Sequence, residues 1–109
     1  MNNLNNKKCV PCNGNTKSLT PEQKKFFLNE LNNWQLNDSK DMIFKKYNFK
    51  NFKKTLEFVN QIGAIAEKES HHPDISLGWG YCLIMIHTHA IKELSENDFI
   101  LASKIDQIS

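Results

Sequence analysis

HHPDISLGWGYCLIMIHTH, residues 71–89, is the stretch on which the fold turns. Proline at position 73 forces His72 out of the helical region, so a helix arriving from upstream must end there and hand over to a loop. Residues 75–77 then read as a short strand, and Gly78-Trp79-Gly80 as a turn or bulge. Residues 81–88 read as a central strand with two apolar faces: Cys82, Ile84 and Ile86 on one, Tyr81, Leu83 and Met85 on the other. One face can carry helices. The other needs its own cover, and in so short a chain the expected cover is a second copy of the protein.

Working outward, Asn51 can cap a long helix running to about Glu69. Its expected buried stripe is Phe52, Leu56, Val59, Ile62 or Gly63, and Ala66, widened by Phe58 and Ile65. Further upstream, residues 35–37 and 42–49 read as two strands joined by a polar turn over 37–40. Ile43, Lys45, Tyr47 and Phe49 share one face of the second. Thr20-Pro21-Glu22-Gln23 has the form of a capping box with proline at the first helical position. It opens a helix to about Asn32 that turns Phe27, Leu31 and Trp34 inward. Ser95-Glu96-Asn97-Asp98 caps a last helix with Leu101, Ala102, Ile105 and Ile108 inward. The order of elements predicts an α+β fold, a four-stranded antiparallel sheet with three helices packed on one face. Residues 1–18, rich in Asn, Lys and Gly, have little to bury and read as a flexible N-terminal arm; residues 19–109 form the domain.

Composition narrows the function. The chain has 109 residues, 39% hydrophobic and 24% charged, with a net charge of +2. All fourteen basic residues are lysine. Bidentate readout of guanine and fork recognition of phosphate lean on guanidinium, so direct nucleic-acid binding is not expected. No segment approaches the ~18 apolar residues of a membrane span, and the polar start does not read as a signal peptide. Three cysteines make no disulfide framework, which fits a reducing, cytoplasmic compartment.

The four histidines, His71, His72, His87 and His89, all fall within this one stretch. Imidazole can give and take a proton near neutral pH, so a cluster of them points to acid–base chemistry on a small molecule. Glu67, one turn before His71, could orient one of the rings. Three readings compete. The first makes His71 and His72 helix-end residues and leaves His87 and His89 on a strand surface. The second uses His-x-His on a strand plus one loop histidine to hold zinc; against it, adjacent ligands such as His71 and His72 rarely serve one tetrahedral ion. The third is proton transfer without metal, and it is favoured. Asp98 has a plain reading too, as the third residue of the last helix completing its cap. Cys9 and Cys12 lack the helix start that activates a redox CxxC pair and lack a second pair for structural zinc. Cys82 reads as a core residue, and the lysines at 45, 46, 50, 53 and 54 as a solvated face.

The segment from Ala66 through His71-His72-Pro73, followed by Trp79, an apolar strand, Thr88-His89 and Leu94-Ser95-Glu96-Asn97-Asp98, closely resembles the pterin-4a-carbinolamine dehydratases. Trp34 and residues 43–52 resemble that family's strand and helix start, and the likeness spans about residues 19–109. It implies removal of water from a 4a-hydroxytetrahydropterin to give the quinonoid dihydropterin, in tetrahydrobiopterin recycling. An aromatic amino-acid hydroxylase would then be the pathway partner. It implies His71, His72 and His89 as the catalytic set, Glu67 and Asp98 as supporting acids, and Pro73, Thr88, Ala90 and Ile91 around the pterin. No metal or organic cofactor is implied, and assembly into homodimers or homotetramers is. Lys45 stands where that family often has arginine, the aromatic often found after His-His-Pro is replaced around Ile75, and His87 is extra. The rival reading is a non-catalytic dimerisation or transcriptional cofactor, or a partner-assisting module, of the same fold; a metal-dependent hydrolase is a third.

Overall fold

The computed structural model describes residues 4–11 and 13–109. Three helices, α1 (Pro21–Asn29), α2 (Phe52–Glu69) and α3 (Glu96–Ile108), accompany four strands, β1 (Gln35–Leu36), β2 (Ile43–Asn48), β3 (Asp74–Gly78) and β4 (Tyr81–Ile86). All strand pairings are antiparallel, and the sheet order is β1-β2-β4-β3. The α+β architecture read from the sequence is the one observed.

The apolar alternation of β4 places its residues. Cys82, Ile84 and Ile86 are fully buried and, with Ile43 of β2, form the sheet's contribution to the core. Phe58 and Ile62 of α2 and Phe99, Leu101, Ala102 and Ile105 of α3 close that core from the helical side. Burial pushes the Cys82 thiol up to about 11, as befits an inert core side chain. On the opposite face Leu83 and Met85 are half-buried and Tyr81 is exposed. β3 and β4 are joined by the two residues Trp79 and Gly80, closing on the pair Gly78–Tyr81. Gly80 has φ +81°, and a Cβ there would lie 3.1 Å from the Phe49 carbonyl, so the turn calls for glycine.

Several expectations shift by a turn or less. α1 ends at Asn29, although Leu31 and Trp34 beyond it are buried as expected. β4 ends at Ile86, two residues early, because the Thr88 N–H turns to the Glu93 carbonyl. The buried stripe of α2 is rotated: Thr55, Phe58, Ile62, Ala66 and Glu69 face inward, whereas Phe52 and Leu56 are 45% and 41% exposed. α2 carries apolar residues over a wide arc, and the side that α3 and the sheet cover is a tertiary choice. Ile108, expected inward, is 36% exposed at the end of α3. Lys45 is more structural than a solvated lysine. Its Nζ donates to the Asn32 carbonyl at 2.6 Å and lies 3.4 Å from Asp106, which also accepts from the Trp34 indole N–H.

The larger departure concerns the N-terminal segment, expected to have little to bury. A 3-10 turn at Leu4–Asn6 lies on α3, with Leu4 only 4% exposed. The Cys9 N–H donates to Glu69 Oε1 at 2.9 Å, and Val10 exchanges two hydrogen bonds with the Asn97 side chain. Cys12, the second cysteine of the CxxC pair, lies outside the described residues.

Glu69 anchors this contact, and its titration gives a test. Burial pushes its carboxyl up, but the Cys9 N–H and the Lys104 ammonium, 3.3 Å away, outweigh burial and hold it below its ordinary value. A carboxyl lowered by folding stabilises the native state above its unfolded pKa, and that contribution is lost as pH falls through the folded one. Glu69→Gln is therefore expected to lower the melting temperature at neutral pH and to flatten its decline below the ordinary glutamate range. An acid limb identical to wild type, followed by circular dichroism, would contradict this role.

Candidate active site

The C-terminus of α2 aims the first histidine. Ser70 adopts a left-handed conformation (φ 53°), and the N–H groups of Ser70 and His71 return to the carbonyls of Glu67 and Ala66. This is the Schellman closure, made with serine where glycine is usual. It terminates the helix and turns His71 toward the interior, where it is 5% exposed. His71 Nε2 meets Asp98 Oδ1 at 2.6 Å.

Asp98 is fully buried, and both its oxygens are engaged. Oδ2 accepts the Ser95 N–H at 2.8 Å, the return half of a helix cap, and the Thr88 hydroxyl at 2.8 Å. Since Thr88 gives its proton to Asp98, the 2.6 Å contact between Thr88 Oγ1 and Ser95 Oγ has Ser95 as donor. Asp98 thus completes the helix cap with one oxygen, as its plain reading expected, and meets the His71 imidazole with the other. Thr88, read as lining a pocket, is fully buried; its hydroxyl serves Asp98, and its backbone bonds to Glu93 and Ile91.

The other two rings of the set stand in solvent. His72 Nε2 is hydrogen-bonded to Glu67 Oε2, with side-chain exposures of 56% and 77%. The sequence placed Glu67 one turn before His71, yet it is His72 that it meets, because the left-handed Ser70 carries His71 inward. His89 Nε2 lies 3.8 Å from Asp74 Oδ2, again between exposed side chains. Asp74 had no role in the sequence reading. Its signal is register alone: Asp74 pairs with Met85, so it shares a face with residues 87 and 89 further along the same chain.

These contacts bring the loop after α2 and the segment after β4 to one end of the sheet. His71 reaches Asp98, Asp98 holds Thr88, and the next residue is His89; from the other side Asp74, two residues beyond His72, approaches His89. His87 stacks obliquely beside His89, with ring centroids 4.2 Å apart. A cleft of about 350 Å³ lined by Asp41, Met42, His87, His89 and Lys92 opens there. Pro73 and Ile91 are half-buried and Ala90 exposed at the same end. The energies differ sharply between pairs. Exposed ion pairs contribute about 0–1 kcal/mol, whereas hydrogen bonds to a buried charged group are worth roughly 1.5–3 kcal/mol. His72 and His89 can leave their partners at little cost; His71 cannot.

The structure is thus an α+β domain with imidazole–carboxylate pairs gathered at one end of its sheet. The chain belongs to the pterin 4 alpha carbinolamine dehydratase family, whose model matches residues 17–108. A protein of Rickettsia canadensis provisionally named a pterin-4-alpha-carbinolamine dehydratase is 49% identical over 104 residues, 94% of each chain. One of Methylococcus capsulatus with the same provisional name is 41% identical over 106 residues, covering 97% of this chain and 93% of that one. Among solved structures, a transcriptional coactivator/pterin dehydratase from Brucella melitensis superimposes with a TM-score of 0.80 at 28% identity, covering 84% of this chain and 98% of that one. A pterin dehydratase-like RuBisCO assembly factor of the alpha-carboxysome shares the fold, with a TM-score of 0.61 at 23% identity over 71% of this chain and 89% of that one.

The Asp98 network predicts strong coupling. Asp98→Ala strands the Thr88 hydroxyl and the Ser95 N–H and is expected to cost about 3 kcal/mol, more than Thr88→Val at about 1–2 kcal/mol. In a double-mutant cycle in urea, Asp98→Ala and His71→Ala are expected to couple by at least about 1 kcal/mol. Additive effects would show that the 2.6 Å contact contributes nothing to stability.

Proposed function

We propose that the chain dehydrates a pterin 4a-carbinolamine, with His71, His72 and His89 supplying the acid and base. The C4a–O bond breaks as an imidazolium protonates the departing hydroxyl, which leaves as water. N5 gives up its proton to a second imidazole, and the C4a=N5 double bond of the quinonoid dihydropterin forms. Proton return between the rings and solvent restores the starting state.

The observation that carries this reading is the contrast among the three histidines. His72 and His89 are exposed, each beside an exposed carboxylate, and suit the hydroxyl, which leaves toward solvent. His71 is buried against Asp98 and suits the N5 proton, since a buried carboxylate stabilises the imidazolium that results. Glu67 would steady His72 between turnovers. Pro73, Ala90, Ile91 and the backbone at Thr88 would contact the pterin. Membership of the family supports the reaction class, and recycling of tetrahydrobiopterin after an aromatic amino-acid hydroxylase is its expected setting.

The assay follows the decay of a 4a-hydroxytetrahydropterin by absorbance. Wild type is expected to exceed the buffer rate, and His72→Ala and His89→Ala to lower kcat/KM by about 10²–10⁴-fold each. His87→Ala is expected to stay near wild type. A wild-type rate equal to buffer, or full activity in both variants, would refute the proposal.

The half-covered face formed by Leu83 and Met85 with exposed Tyr81 supports assembly of two or four copies. Light scattering at micromolar concentration is expected to give two or four times the 12.7 kDa of one chain. A monomer would leave that face to another partner, as in a coactivator role of the kind named for the Brucella structure.

A further inference from the structure

His87 is the one histidine that the proposed reaction does not use, and its surroundings have a chemistry of their own. Its ring nitrogens, those of His89 and the Asp74 carboxylate supply three ligand atoms that all lie within 4.8 Å of one another. The sheet produces this convergence. His87 and His89 alternate onto one face beyond the end of β4, and Asp74, opposite Met85, reaches the same face from β3. Nδ1 of His87 is buried without a hydrogen-bond partner among the described residues, so at least one nitrogen of that ring is unclaimed. His71 is held by buried Asp98, and His72 is hydrogen-bonded to Glu67.

We propose that Asp74, His87 and His89 bind one divalent transition-metal ion of the zinc class, and that the ion inhibits the enzyme by taking His89. Two imidazoles and a carboxylate form a borderline-soft donor set suited to zinc, with a fourth position left for water. Ligands at Zn–N and Zn–O distances of 2.0–2.2 Å lie roughly 3.4 Å apart in a tetrahedron. His89 Nε2 and Asp74 Oδ2 are already at 3.8 Å, and both side chains are more than half exposed and free to close. Asp41 in the adjoining cleft adds negative charge, although one of its oxygens accepts from Asn37; Lys92 in the same cleft opposes a cation. A ring nitrogen that coordinates a metal cannot carry a proton. Metal and catalysis therefore compete for His89, a consequence that rests on the dehydratase reading, whereas the binding site itself does not.

The test has two independent arms. Cobalt(II) titrated into the full chain is expected to develop the visible bands of a nitrogen- and oxygen-ligated ion at one equivalent. His87→Ala and Asp74→Asn are each expected to weaken binding by about a hundredfold, no less than loss of an outer-shell partner usually costs. Undiminished binding in His87→Ala, or a near-ultraviolet thiolate charge-transfer band marking Cys9 and Cys12 as the ligands, would overturn the site. In the activity arm, zinc is expected to inhibit wild type, a chelator to restore it, and His87→Ala to remain active while losing its sensitivity. An active wild type that binds cobalt at this site yet ignores zinc would overturn the inhibition. A protein without dehydratase activity would sink the functional reading and this consequence together, while the cobalt arm would still decide the site.

Discussion

A carboxylate with no solvent exposure must find its stabilisation inside the protein, and Asp98 finds it from three directions. The Ser95 N–H comes from the start of α3, the Thr88 hydroxyl from the segment leaving β4, and the His71 ring from the end of α2. The end of α2, the segment after β4 and the start of α3 are fastened to one side chain. Desolvating an ionised carboxylate costs several kcal/mol unless its lone pairs are filled, so the three donors are a condition of the fold as much as a feature of the site. The same constraint fixes the ring: an imidazole held by a buried carboxylate in a low-dielectric setting keeps its orientation.

The exposed pairs obey a different rule. Glu67 with His72, and Asp74 with His89, interact through water-screened space and hold their partners only loosely. That contrast lets one cluster contain both a fixed imidazole and two adjustable ones. It also explains why His87 and Asp74 can form a second centre beside the first. Groups held by less than about 1 kcal/mol are available to a ligand that offers more, and a metal ion offers a great deal more.

Much of this was legible in the chain, for identifiable reasons. The bounds of α2 follow from Asn51 as cap and from Pro73 just beyond the helix, both local steric signals. The faces of β4 follow from strict alternation of Cys82, Ile84 and Ile86 with Tyr81, Leu83 and Met85. His71, His72, His89, Glu67 and Asp98 stood out as chemistry-bearing residues, and the structure brings them to one end of the sheet. What escaped is what depends on distant partners. The orientation of α2 could not be chosen while Phe52, Leu56 and Phe58 offered competing apolar faces. The docking of residues 4–10 draws on buried Leu4 and on partners such as Glu69 and Asn97, 60 and 87 positions from Cys9 and Val10. Glu67 meeting His72 rather than His71 depends on a single left-handed residue, Ser70, that propensity does not announce.

The N-terminal segment deepens the dependence on Asp98. Asn97, which exchanges hydrogen bonds with Val10, is the residue immediately before Asp98 on α3. Glu69, which accepts from Cys9, lies two residues before His71 on α2. The segment therefore straps together, from outside, the same two helix ends that the buried His71–Asp98 contact joins from within. A buried pair worth a few kcal/mol tolerates little drift in the distance between its helices. An outer strap bonded to both helices opposes that drift, which gives residues 4–10 a mechanical link to the imidazole of His71.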